Sequence, residues 1–178
     1  GLLVFEPSVF EDSRGYFFES YNHKIFAAAG IDKIFIQDNQ SYSLFGVIRG
    51  LHYQLNPYAQ SKLIRVLHGA ILDIAMDIRK GSPAYGKVFS IELTAENKKQ
   101  LFIPPGFAHG FSVLSKKAEM LYKCDSLYNK KSEAGICYND PALNIDWQIP
   151  SDKVIISEKD KNLPLLSECQ NNFVFDGQ

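Results

Sequence analysis

Between Leu72 and Ile78 apolar residues fall on every second position, Leu72, Ile74, Met76 and Ile78, with Asp73, Ala75 and Asp77 between them. A two-residue period marks a β-strand, because successive side chains leave a pleated backbone on opposite sides. Gly69-Ala70 precedes the run, and Lys80-Gly81-Ser82-Pro83 follows it as a turn. The same grammar recurs along the chain. Residues 2–5 read as a buried strand, and 15–20, 34–39, 88–93 and 118–124 as further strands, the last with Met120, Tyr122 and Cys124 on one face. Pro104-Pro105-Gly106 turns the chain into another strand at 111–114. One helix is expected over 22–29, with Asn22 as N-cap and Gly30 as its stop. After Asp140-Pro141 the chain is loop-rich, with one short helix near Ser157. Many short strands at near-regular spacing predict an antiparallel sandwich or small barrel.

No repeat, low-complexity tract or linker divides the 178 residues, so a single domain over 1–178 is expected. Aromatic residues make up 13% of the chain, which suits a β fold with aromatic-walled pockets. Lys and Arg number 19 against 20 Asp and Glu, so no basic excess exists to hold a nucleic-acid backbone. Cys124, Cys137 and Cys169 form neither a disulfide framework nor a zinc site, and a reducing, cytoplasmic setting follows. No apolar run reaches bilayer-spanning length, and no secretory signal opens the chain; no membrane partner is expected.

The chemistry-bearing residues are scattered. Around Asn56-Pro57, a hairpin centred on Pro57 would set His52 opposite Lys62 and point both to one face. Strict alternation puts Arg49 on the other face, unless Gly50 hosts a bulge that brings Arg49 and His52 together. An imidazole beside an ammonium suits proton abstraction next to a carbonyl, with the cation steadying the enolate. From spacing alone, a polar face turned to water accounts for the pair more simply. His109, after Ile103-Pro104-Pro105-Gly106-Phe107-Ala108, either lines a pocket mouth or caps a loop by bonding backbone. Ser157-Glu158-Lys159-Asp160 reads first as a helix cap; the other reading makes Asp160 the carboxylate that orients a histidine. Tyr122 and Tyr128 are either proton donors or packing groups with hydroxyls at the edge. Arg14 could grip a phosphate through its fork. No Gly-rich phosphate loop occurs. His23, His52, His68 and His109 lack metal-ligand spacing, so no metal is expected.

In order, Asp12-Ser13-Arg14-Gly15-Tyr16-Phe17-Phe18-Glu19, Gln37-Asp38-Asn39-Gln40-Ser41, Arg49-Gly50-Leu51-His52-Tyr53-Gln54, Lys62, the 103–111 segment, Tyr122-Lys123-Cys124 and Ser157-Glu158-Lys159-Asp160 resemble the dTDP-4-dehydrorhamnose 3,5-epimerase family. The resemblance runs from Gly1 to about Asn162. It implies a mainly β fold, a cupin-type antiparallel β-barrel or jelly roll with a few short helices. It implies an isomerase that inverts carbons 3 and 5 of dTDP-4-dehydro-6-deoxy-D-glucose without a cofactor, working as a homodimer on a dTDP-linked 4-keto sugar. By the same resemblance, His52 is the base, Asp160 its dyad partner, Tyr122 the acid and Lys62 the group that steadies the enolate. Arg49 and His109 match sugar and pyrophosphate contacts. Gln37, Asp38 and Asn39 match the nucleotide-binding stretch. Arg14 and Glu19 match residues that reach a neighbouring subunit's nucleotide. Glu133 and Lys159 match further binding positions, and Tyr128 lines the sugar pocket. The chain begins where the family's first strand is already under way, so a preceding strand is expected. An epimerase of one carbon, a non-catalytic sugar-nucleotide binding cupin and a metal-dependent cupin oxygenase are the alternatives.

Overall fold

The computed structural model describes residues 1–177. Its strands are β1 (Leu3–Phe5), β2 (Phe10–Asp12), β3 (Gly15–Phe17), β4 (Gln37–Leu44), β5 (Ile48–Gln54) and β6 (Lys62–His68). They continue with β7 (Ala70–Asp77), β8 (Val88–Thr94), β9 (Gln100–Ile103), β10 (Phe107–Val113), β11 (Lys117–Cys124) and β12 (Glu133–Gly135). Helix α1 (His23–Ala28) lies between β3 and β4, and α2 (Glu158–Lys161) follows β12. One five-stranded sheet has the order β1-β9-β6-β11-β4, the other β12-β5-β10-β7-β8, and β2-β3 form a separate ribbon. All pairings within these sheets are antiparallel. The expected β-barrel of jelly-roll type is present, open between the sheets.

The alternation around residue 74 has a simple cause. Ile71 and Ala75 of β7 join Ile64, Leu101, Phe111 and Met120 in the core between the two sheets. Leu72, Ile74 and Met76 point the other way, into a second core with Ile136, Trp147 and Phe173 from the C-terminal loops. Both faces of β7 are therefore covered, which is why its carboxylates Asp73 and Asp77 are buried too. Phe26 and Ile31, in α1 and the turn after it, pack on Leu63 and Phe102, on the outer face of the other sheet. Asn22 caps α1, its side chain accepting from the Lys24 N–H, and Gly30 ends the helix at φ +90°.

Several sequence expectations shift. Of residues 2–5 only 3–5 pair, and β1 is an edge strand joined only to β9, with Leu3 and Val4 37% and 40% exposed. The strand expected at 15–20 stops at Phe17, and the one at 34–39 starts at Gln37 and runs on to Leu44. Gly106, at φ +89°, turns the chain directly into β10, so that strand begins at Phe107 rather than at 111. The hairpin about Pro57 does not form. β5 pairs with β10 and β12, while β6 pairs with β9 and β11 in the opposite sheet. Polar contacts divert the connection: Asp125 accepts from the Ser61 N–H at 2.6 Å and from its hydroxyl at 2.9 Å, and Gln60 donates to the Ser126 carbonyl at 2.7 Å. They draw the start of β6 to the end of β11.

Two measurements check the packing. Ile74 is fully buried, and Ile74→Ala is expected to lower the unfolding free energy by about 2–5 kcal/mol in a urea titration followed by Trp147 fluorescence. The Asp77 carboxylate accepts from the Arg79 N–H and guanidinium and from the Ser82 hydroxyl. Burial pushes this carboxyl up, but those donors outweigh it and hold it below its ordinary 3.8. The unfolded chain then takes up the proton first, so this stabilisation is full above about pH 4 and is lost as pH falls through the folded value. Thermal melts should show Asp77→Asn with a flatter acid limb than the parent protein.

Candidate active site

The site grows from a bulge in β5. His52 registers with His109 of β10, and Arg49 with Phe111, so β5 carries one extra residue between them. Gly50, at φ +120°, absorbs it; a Cβ there would sit 2.6 Å from the Gly110 Cα and 2.7 Å from the His109 carbonyl oxygen. The bulge brings Arg49 and His52 to the inner face together, the alternative that Gly50 leaves open in the sequence. Arg49 Nε donates to the Ser43 hydroxyl at 3.2 Å.

Both readings of the 157–160 motif combine. The Ser157 hydroxyl caps α2 by accepting from the Asp160 N–H at 3.1 Å. The Asp160 carboxylate is thereby free for other partners. It lies 2.8 Å from His52 Nε2 and accepts from the Gly50 N–H at 3.2 Å, while only 4% exposed. Burial pushes this carboxyl up, yet the contacts with His52, Gly50 and Ser157 outweigh it and hold it low. An ionised Asp160 assigns the His52 proton to Nε2, leaving the Nδ1 lone pair free to act as a base.

A second carboxylate–imidazole couple lies beside the first. His109 Nε2 is 3.1 Å from Asp73, and its Nδ1 is 3.5 Å from Lys62 Nζ. His109 is mid-strand and buried, and both its ring nitrogens meet side chains, so it does not cap a loop by bonding backbone. Burial, with Lys62 and His52 nearby, pushes this imidazole down despite Asp73, which keeps it neutral. The neutral ring donates from Nε2 to Asp73 and accepts from Lys62 at Nδ1. Burial likewise pushes the Lys62 ammonium down, with Cys124, Asp73 and Glu133 opposing. His52 and Lys62 thus stand on opposite sheets, each beside His109. Tyr122, two residues from Cys124, points inward from β11 against the same core. Burial pushes its phenol up against the pull of Arg49, so it keeps its proton near neutral pH.

At the rim, Lys159 Nζ contacts Glu133 at 2.5 Å, the Tyr128 hydroxyl donates to Glu133 at 3.1 Å, and the Tyr128 N–H donates to Gln37 at 3.0 Å. Along β4, Gln37 and Asn39 face inward and bond each other at 3.1 Å. Asp38 alternates outward and pairs with Lys123 at 2.9 Å, away from the cluster. Arg14 pairs with Asp12, and Glu19 accepts from Asn22; neither contacts the His52 group. Two inward residues are not evident from sequence pattern. Asp73 is one, though a carboxylate inside a strongly apolar run is itself a signal. Ser41 is the other: its hydroxyl is the one buried side-chain polar atom without a partner among the described residues. Among those residues, no group of three or more His, Cys, Asp or Glu is placed to hold a metal ion.

The arrangement offers a base held by a carboxylate, a protonated phenol and cations, all on inner faces of one barrel. The family model described as dTDP-4-dehydrorhamnose 3,5-epimerase matches residues 1–168. A dTDP-4-dehydrorhamnose 3,5-epimerase from Shigella flexneri is 53% identical, over 90% of this chain and 88% of its own length. The crystal structure of one from Elizabethkingia anophelis superposes with a TM-score of 0.90 at 50% identity, covering 94% of this chain and 92% of that one. A Legionella pneumophila dTDP-6-deoxy-D-glucose-3,5-epimerase in complex with dTDP-4-keto-L-rhamnose also superposes at 0.90, with 46% identity over 94% of this chain and 88% of that one. The chain belongs to the dTDP-4-dehydrorhamnose 3,5-epimerase family.

Proposed function

We propose that this protein inverts carbons 3 and 5 of dTDP-4-dehydro-6-deoxy-D-glucose to give dTDP-4-dehydro-L-rhamnose, by proton removal and return through an enolate. The 2.8 Å contact between His52 and the buried Asp160 carries this reading. His52 Nδ1 takes the proton from a carbon beside the ketone, and Asp160 stabilises the imidazolium that results. Lys62, steadied by His109 and Asp73, holds the enolate oxygen. Tyr122 returns a proton from the other face of the ring, and the same cycle serves the second carbon.

Arg49 lines the inner face as a sugar and pyrophosphate contact, Gln37 and Asn39 serve the nucleotide, and Tyr128, Glu133 and Lys159 stand at the rim as further binding groups. Arg14 and Glu19 act across a homodimer. The exposed aromatic rings on their ribbon, Phe10 at 67% and Phe17 at 72%, support that role. A cytoplasmic setting agrees with three free cysteines.

In heavy water the protein should load deuterium at both carbons, and His52→Asn should abolish both exchanges. A His52→Asn variant that keeps full turnover would falsify the mechanism. Tyr122→Phe separates the two roles: deuterium should still enter, because the base remains, while inversion slows by about 10²–10⁴-fold. Lys62→Met should cost about 10²–10³ in kcat through loss of the oxyanion partner. Product NMR that shows only one inverted carbon would instead identify a single-carbon epimerase. Binding of dTDP without any turnover would identify a binding module. Dialysis against a chelator should leave the rate unchanged.

A further inference from the structure

The C-terminal segment that follows α2 ends in a strap which the proton-transfer scheme does not use. The family match ends at residue 168, and the chain beyond it runs back over the end of the barrel. The Tyr53 hydroxyl donates to the Gln170 carbonyl at 2.5 Å. Asn172 exchanges two hydrogen bonds with the Asn56 backbone, each 3.1 Å. The Lys80 N–H donates to the Phe173 carbonyl at 3.0 Å, and the Phe175 N–H donates back to the Lys80 carbonyl at 2.9 Å. The Arg79 guanidinium lies over the Phe175 and Phe107 rings, 4.9 and 4.8 Å from their centroids.

These fastenings hold one side chain inside. Phe173 is 5% exposed and stacks edge-on against Tyr53, with ring centroids 6.3 Å apart. With Tyr53, Phe107, Lys62 and His109 it walls a cavity of about 10 Å³. That is at the margin of what holds one water. Phe173 thus packs in the outer core and forms one wall of the space that Lys62 and His109 also line.

We propose that the 169–176 strap is a positioning element for the reaction, with Phe173 closing the space behind Lys62 and His109 and keeping bulk water from the ammonium that faces the enolate. The proposal rests on the epimerase reading for its kinetic consequence, but not for its structural one. The physical reason is dielectric. A cation in a dry pocket acts on a developing oxyanion more strongly than one screened by water. The titratable groups near Lys62 are Asp73 from β7, His109 from β10, Cys124 from β11, Glu133 from β12 and Tyr53 from β5, which walls the same cavity. None of them belongs to the strap, so a change at Phe173 alters the solvation of Lys62 and leaves its charged neighbours in place.

Phe173→Ala empties a cavity whose walls include Lys62 and His109. A polar-walled cavity of that size fills with water, whereas a purely apolar one stays dry. Phe173→Leu keeps most of the apolar fill. The Lys62 ammonium is followed by carbon NMR of labelled lysine, its signal assigned with Lys62→Arg. The expected order of its apparent pKa is parent lowest, Phe173→Leu next and Phe173→Ala highest, the last about one pH unit above the parent. In turnover, kcat should fall about tenfold in Phe173→Ala while KM changes less than about twofold. The alkaline limb of the rate profile should move up with Lys62.

An unchanged Lys62 titration in a folded Phe173→Ala protein overturns the proposal. So does a KM rise with kcat intact. Where Phe173→Ala does not fold, Phe173→Leu against the parent decides by the same two readouts. If Lys62 moves as expected while the parent shows no deuterium exchange at either carbon, the strap stands and the epimerase reading fails.

Discussion

The hydrogen bond between Asp160 and His52 joins distant parts of the chain, beside the backbone bonds that Ile155 makes with Gly46 and Ile48. Asp160 sits in a four-residue helix within the C-terminal loops, and His52 on a bulged strand 108 positions earlier. The same carboxylate also takes the Gly50 N–H, the donor that the bulge exposes. The helix cap, the bulge and the imidazole's tautomer are therefore one device. An apolar residue in place of the carboxylate would leave a buried N–H unpaired and the ring free to turn.

Around that device the barrel sets two carboxylate–imidazole couples side by side, and their surroundings push them to different tasks. His52 is partly open, with its side chain 30% exposed, and can meet a substrate. His109 is sealed at 8%, held neutral by burial, and passes the influence of Asp73 to Lys62. Tyr122 keeps its proton because burial outweighs the pull of Arg49. Burial and close neighbours thus set the protonation of His109 and Tyr122 within one barrel.

Much of this arrangement is legible in the order of residues. The strand at 70–77 shows in its two-residue period, and the helix at 23–28 in its Asn22 cap, since both are local patterns written within one element. The bulge at Gly50 is legible as a possibility, because a glycine inside a strand asks for a reason. The partnership of β5 and β6 is not. Proximity in sequence favours a hairpin, but Asp125, over sixty residues away, captures Ser61 and sends β6 to the other sheet. Asp73 is hidden in the same way, because an aspartate between apolar residues looks like a solvent face until the second layer of packing is seen. Asp38 illustrates the reverse. Its neighbours Gln37 and Asn39 face inward, and strict alternation sends it to the outside.

From its own order of residues, this chain determines that it folds as short antiparallel strands and which side chains each strand presents to each face. These properties depend on neighbours a few positions apart, where local geometry is decisive. Which faces become interior, which strands pair across sheets, and whether a histidine meets a carboxylate were decided only in the tertiary structure. They depend on contacts between segments far apart in the chain, and the free energy of burying those segments against each other selects one pairing from many that local pattern allows.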